Sequence, residues 1–396
     1  MKTSPDIAAL DEFVRLIGAR LWKQRVDAIK REAQCGRRAG KAVLQRFAVP
    51  LAIERLRSRI NREPTVAECR VAAVAAHAVR VARGMDASVR SRLVERLQTE
   101  VAEGGALVPT FHLMRTAMTQ TARGFAVAFA GLENDAPFDL LIARDGAEAE
   151  VACDVFSAEE GRGVHRGAWF QLADSVDPDL ETWLSAHPGR YLLKLTLPQG
   201  LQDADRQSVA SLHRRIREML ATQRRSDQDE AVVLRLDPLM LAAAQADELG
   251  LMSSLRREFG PEAHLSVTAA GKAVFVMAAR AGRENEVAAA VRRRLCAIAP
   301  ARLTGTRPGI LALFIEDTDR TEWRLLRERL ELEGETRQFL TCPEARAVIA
   351  VTCASRLELF GFAEPDGVAD GELRFRNPAH PAAKAPGLAP AVLSSM

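Results

Sequence analysis

The chain is poor in aromatic residues. One Tyr and four Trp in 396 residues leave few flat side chains on which bases could stack. Six cysteines, Cys35, Cys69, Cys153, Cys296, Cys342 and Cys353, are scattered without a CxxC pair. That spacing argues against a zinc motif or a disulfide framework and makes reduced thiols the expectation. The opening residues MKTSPDIAALDEF hold no apolar stretch of signal-peptide length. No run approaches the roughly 20 apolar residues that cross a bilayer. A cytoplasmic protein with no membrane partner is therefore expected. The glycine-containing segments GRG and GTRPG lack the strand-to-helix spacing of dinucleotide or P-loop motifs, and no serine nucleophile elbow occurs.

What is present is a charge asymmetry hidden by a net charge of +3. Residues 1–125 carry 23 Lys/Arg against 12 Asp/Glu, or +11, and the remainder 32 against 40, or −8. A basic first part suits an acidic partner, and nucleic acid is the usual one. Solvated helix faces in an Arg-rich chain are the alternative.

Hydrophobic periodicity divides the chain. Residues up to about 123 read as helices. Leu10, Phe13, Val14, Ile17 and Leu21 mark one apolar face. Arg55, Arg59 and Arg62 recur at near-helical spacing beyond Pro50. Thr65 and Glu68 have the form of a capping box ahead of an Ala/Val-rich helix. His77 and His112 fall on apolar helices and read as packed residues. FAVAFAGL, FDLLIARDG and AEVACDVF then have strand length and turn-forming boundaries. A helix over about 165–183 follows, with a break possible at Asp177-Pro178, and then the strand RYLLKLTLP. Beyond Asp203 strands alternate with helices, which favours α/β layers. The runs RRIR (214–217) and RRR (292–294) read as solvated helix faces. Residues 362–396, rich in Pro, Ala and Gly, read as a disordered tail.

Asp145-Gly146 is a preferred pair for a two-residue hairpin turn. That turn sets Arg144 opposite Ala147 and Asp139 opposite Ala152. Glu150, Ala152 and Asp154 then share one face of their strand. Asp139 lies diagonal to Glu150 and Asp154 at about 7–8 Å, while those two are about 13 Å apart. Any shared cation must therefore centre on Asp139.

The order helix, three strands, helix, strand over roughly 105–197 resembles the PD-(D/E)XK, or restriction-endonuclease-like, superfamily. PFDLLIARDG resembles its aspartate-bearing strand, and AEVACDVFSAEEGRGVHRGAWFQL its next strand and helix. The resemblance implies Mg²⁺-dependent phosphodiester cleavage by carboxylates and a lysine. Asp139 matches the family aspartate. Ala152 stands where its second acid belongs, and Asp154 stands where its lysine belongs. Glu150 is the candidate replacement acid. Arg162, His165 and Arg166 are candidate cations for nucleic acid, with Gln171 one turn further on.

The resulting expectation is a mixed α/β protein with four parts. These are a basic helical region over 1–104, a restriction-endonuclease-like αβββαβ core over 105–200, an α/β region over 201–361 and a tail over 362–396. Its expected role is non-cleaving nucleic-acid binding or an accessory function. The alternatives are an active Mg²⁺-dependent nuclease using Asp139, Glu150 and Asp154 as relocated catalytic and metal residues, and a protein–protein scaffold.

Overall fold

The computed structural model describes residues 6–58, 63–203, 205–239, 248–260, 263–355 and 372–393. The chain divides into two units. The first comprises Met1–Arg31, Leu44–Ala158 and Ala288–Met396, and the second comprises Glu32–Val43 and Glu159–Val287. The fold is mixed α/β, with N-terminal helices followed by strand-containing regions. Among the described residues no helix is long and apolar enough to cross a membrane.

The N-terminal helices are α1 (Ile7–Ile17), α2 (Ala19–Glu32), α3 (Arg37–Arg46), α4 (Ala48–Arg57), α5 (Val66–Gly84), α6 (Ala87–Ala102) and α7 (Val108–Ala122). The region is helical as expected, but the apolar face expected from Leu10 through Leu21 is interrupted at Gly18, whose φ of 103° ends α1, and Leu21 falls on α2. Leu10, Phe13, Val14 and Ile17 are the buried face of α1, whose first turn is capped by Asp6. The capping box of α5 is complete, with Thr65 and Glu68 satisfying each other's backbone N–H groups. Arg59 and Arg62 lie outside the described residues, and Arg55 pairs with Glu68.

In the first unit, β1 (Ala126–Ala128), β2 (Leu140–Arg144) and β3 (Ala147–Ser157) form an antiparallel meander. β1 is shorter than FAVAFAGL, because a helical turn, α8 (Ala130–Glu133), replaces its second half. The Asp145-Gly146 turn has positive φ at both residues, 51° and 76°, as a type I′ turn requires. Arg144 accordingly faces Ala147, as expected.

The strand beside β3 corrects the sequence expectation. The helix α9 (Arg166–Ala186) and strand β4 (Arg190–Leu197) follow in the expected order, but β4 does not join this sheet. It lies in the second unit, in a sheet ordered β5 (Ser226–Gln228), β6 (Val233–Pro238), β4, β8 (Ala273–Ala281), β7 (His264–Ala270). The expected 105–200 core is thus divided at residue 158. Neighbouring strands in sequence usually pair, and nothing local marks an exception. α9 also runs unbroken through Pro178. The second unit is completed by α10 (Arg206–Ala221) and α11 (Glu248–Phe259). Residues 240–247, expected to begin α11, lie outside the described residues.

The chain re-enters the first unit through α12 (Val287–Arg302), and β9 (Gly309–Glu316) then runs parallel to β3. After α13 (Arg320–Glu328) and α14 (Glu331–Phe339), β10 (Val348–Ser355) pairs parallel to β9. Every residue of β10 is buried, the pattern of a central parallel strand.

The expected disordered tail is also corrected. β11 (Leu373–Arg376) is antiparallel to β10 and buries Leu373 and Phe375. The Pro-rich stretch then makes two 3-10 turns and a short helix, Ala389–Val392, with Ala383, Leu388, Ala391 and Val392 buried. The alternating LRFR supplies a packing face that overall composition conceals. Residues 362–371 and 394–396 lie outside the described residues. Glu372, 7% exposed, pairs with Arg115 of α7 and with Arg123 just beyond its end. Replacing Glu372 with Ala leaves two poorly hydrated cations and is expected to cost about 3 kcal/mol in denaturant unfolding, where a surface pair would cost under about 1.

Candidate functional site

The three predicted carboxylates flank the β2–β3 pairing, and each has its own partner. Asp139 precedes β2, and its N–H donates to the Val151 carbonyl at 3.0 Å, one residue off the register that pairs Leu140 with Val151 and would set Asp139 opposite Ala152. Gly131 of α8 approaches the same place, and a Cβ there would sit 2.9 Å from the Phe138 carbonyl oxygen and 3.3 Å from the Asp139 Cα. Asp139 is 7% exposed. Its Oδ2 accepts from the Cys153 N–H and from Arg302 Nη2, both at 2.7 Å. Arg96 of α6 lies 3.5 Å from its other oxygen. Arg302 also donates Nε–H to the Pro137 carbonyl at 2.6 Å, which orients the guanidinium.

Glu150 is fully buried. Its carboxylate accepts the Thr304 N–H at 2.8 Å and the Thr304 hydroxyl. Asp154 receives a two-pronged contact from Arg294, Nε at 2.6 Å and Nη2 at 2.9 Å. Such parallel donation is the strong form of an Arg–carboxylate pair. Ala152, between them on the same face, is buried and brings no polar atom.

Asp139, Glu150 and Asp154 therefore do not converge. Among the described residues, three ligand-type side chains gather within 4.8 Å of one another only at Cys296, Cys342 and Glu344. The groups that occupy the acids come from α12 and the residues just after it: Arg294, Arg302 and Thr304. Sequence reading overlooked them. RRR (292–294) read as a solvated face, yet Arg292 pairs with Glu335 and Arg294 with Asp154. A basic residue eight positions before Arg302, on one amphipathic helix, is a visible signal. Its meaning depends on a strand some 140 residues earlier.

Arg162, His165 and Arg166 belong to the second unit. The Arg162 side chain is 1% exposed and pairs with Glu159. His165 lies 3.6 Å from Asp203, and that contact, ahead of the opposing effect of burial, holds its pKa above the ordinary histidine value. The Arg166 N–H donates to Glu159 at 3.2 Å and the Ala168 N–H to Asp203 at 2.6 Å. Two carboxylates of the chain thus fill the α9 N-terminus, which would otherwise suit a phosphate. Gln171, on the exposed side of α9, is away from these contacts.

In the first unit, the buried His112 of α7 donates Nε2–H to the Ala312 carbonyl at 2.9 Å and lies against Phe314. Among the described residues its Nδ1 has no hydrogen-bond partner. The ring is therefore neutral with the proton on Nε2. Burial, partly offset by the Ala312 carbonyl, lowers its pKa to about 4.

The ion pairs and His112 each carry a test. Asp139 and Arg302 share a partly buried contact, so a double-mutant cycle with Asp139→Asn and Arg302→Met is expected to give a coupling on the order of 1–3 kcal/mol. Additive losses would show that the pair is incidental. His112 is neutral in the folded protein down to about pH 4, whereas in the unfolded chain it takes up a proton near pH 6.5. Stability is therefore lost as pH falls through that window. Relative to His112→Gln, the parent should lose roughly 3 kcal/mol between pH 7 and pH 4 in denaturant titrations.

Compared with protein-family models, curated proteins and solved structures, the chain has no match.

Proposed function

We propose that this chain is a non-cleaving relative of the restriction-endonuclease-like proteins that binds nucleic acid through its basic N-terminal helices. The observation that carries the reading is the occupation of Asp139, Glu150 and Asp154 by Arg302, Thr304 and Arg294. A catalytic Mg²⁺ would have to displace two guanidinium groups and a threonine, and it would still meet carboxylates that do not converge. A lysine equivalent is missing from β3, where Asp154 stands.

The element order supports the relationship when the larger segment of the second unit is read as an insertion. Helix α7, strands β1, β2 and β3, helix α12 and strand β9 then give helix, three strands, helix, strand in one sheet. The interrupting segment is Glu159–Val287.

The binding side rests on α2. Trp22, Val26 and Ile29 are its buried face. Arg20 and Arg31 are exposed opposite that face, and Lys23 and Lys30 are exposed on its flank. A cationic stripe along a helix matches a phosphate backbone and gives affinity without sequence discrimination.

Fluorescence anisotropy with labelled single- and double-stranded DNA and RNA tests the proposal. Binding should weaken steeply with salt, and K23E/K30E should reduce both the affinity and the salt slope. Incubation with Mg²⁺ or Mn²⁺ should leave the substrates intact. Absence of binding at low salt would remove the partner assignment, and cleavage abolished by Asp139→Ala would replace it with an active nuclease.

A further inference from the structure

The one ligand-type cluster among the described residues lies away from the three carboxylates of the sheet. Cys296 is on α12, two residues beyond Arg294, and Cys342 and Glu344 follow α14. The two sulfurs and a carboxylate oxygen lie within 4.8 Å of one another. Both cysteines are free and half-buried, and Glu344 is exposed, so the cluster is open to solvent on one side.

We propose that Cys296, Cys342 and Glu344 bind a soft divalent cation of the zinc type, with water as the fourth ligand. Tetrahedral zinc with sulfur at about 2.3 Å and oxygen at about 2.0–2.2 Å places ligand atoms roughly 3.5–3.8 Å apart. Since the ligand atoms already lie within 4.8 Å of one another, closing the cluster to that spacing takes at most about 1.3 Å of movement. Two thiolates select zinc-like metals over Mg²⁺ or Ca²⁺, which take oxygen donors.

The backbone holds the two arms in place. Cys296 sits mid-helix, so its Cβ direction is set by α12. Cys342 precedes the 3-10 turn Pro343–Ala345, its N–H donates to the Phe339 carbonyl at 2.8 Å, and its thiol lies 3.4 Å from the Gln338 carbonyl. One turn before Cys296, Arg292 pairs with Glu335 of α14 at 2.6 Å. This pair already joins the two elements that the metal would bridge. The same α12 presents Arg294 to Asp154 and Arg302 to Asp139, so a cation at Cys296 would brace the helix that closes the carboxylates.

The site is distinct from the cleavage question and from nucleic-acid binding, and its test is independent of both. Reduced full-length protein is titrated with Co²⁺ and followed by absorption, then challenged with Zn²⁺. One Co²⁺ per chain should produce a near-ultraviolet thiolate-to-cobalt band that Zn²⁺ abolishes. C296S and C342S should each remove most of that band and weaken binding by at least about tenfold. E344Q should keep thiolate absorption but bind about tenfold more weakly. C35S, which changes an exposed cysteine outside the cluster, should match the parent, and circular dichroism shows whether each variant is folded. Absence of the band in reduced parent protein overturns the site. So does an undiminished band in folded C296S or C342S, and unchanged affinity in E344Q removes the carboxylate and with it the three-ligand site.

Discussion

The parallel pairing of β3 with β9, from Glu150 beside Gly309 to Ser157 beside Glu316, holds the first unit together. It joins segments whose intervening chain belongs to the second unit. A parallel pair needs a crossover, and α12 supplies it. Once α12 lies against this sheet, its residues reach the acids of β3 and the residue before β2. The sheet can then grow through β10, buried throughout, to β11.

That arrangement explains how a strand can carry acids into a protein interior. An ionised carboxylate removed from water is costly unless it is paired and hydrogen-bonded. Glu150 is satisfied by a backbone N–H and a hydroxyl, Asp154 by a forked guanidinium, and Asp139 by a backbone N–H with arginines at both oxygens. Arginine suits this role because its planar group donates in two directions at once and stays charged. The same saturation leaves little unsatisfied negative charge to attract a divalent cation. It also locates the contrast with Cys296, Cys342 and Glu344, where three acidic groups face one another. Burial, Cys342 and Glu344 together raise the Cys296 pKa.

The second unit repeats the lesson at a helix end. The basic turn ahead of α9 carries residues suited to phosphate, but Glu159 and Asp203 already take its N–H groups and charges. The exposed cations of α2 lie outside that helix's apolar face. A cationic motif in sequence is thus weak evidence until the carboxylates that fold onto it are known.

Local patterns determined the helical N-terminal region, the capping box of α5, the Asp145-Gly146 turn and the alternation that puts Glu150 and Asp154 on one face. Each of these is decided by neighbours within a few residues, through dihedral preference or apolar period. Tertiary structure alone decided that β9 takes the place expected of β4, that Leu373 and Phe375 give the C-terminal segment a sheet to join, and that Arg294, Arg302 and Thr304 occupy the acids. It also brought Cys296 to Cys342. Those outcomes depend on pairings across a hundred residues or more, or on a buried surface that exists only after the sheet has formed, and no local propensity encodes them.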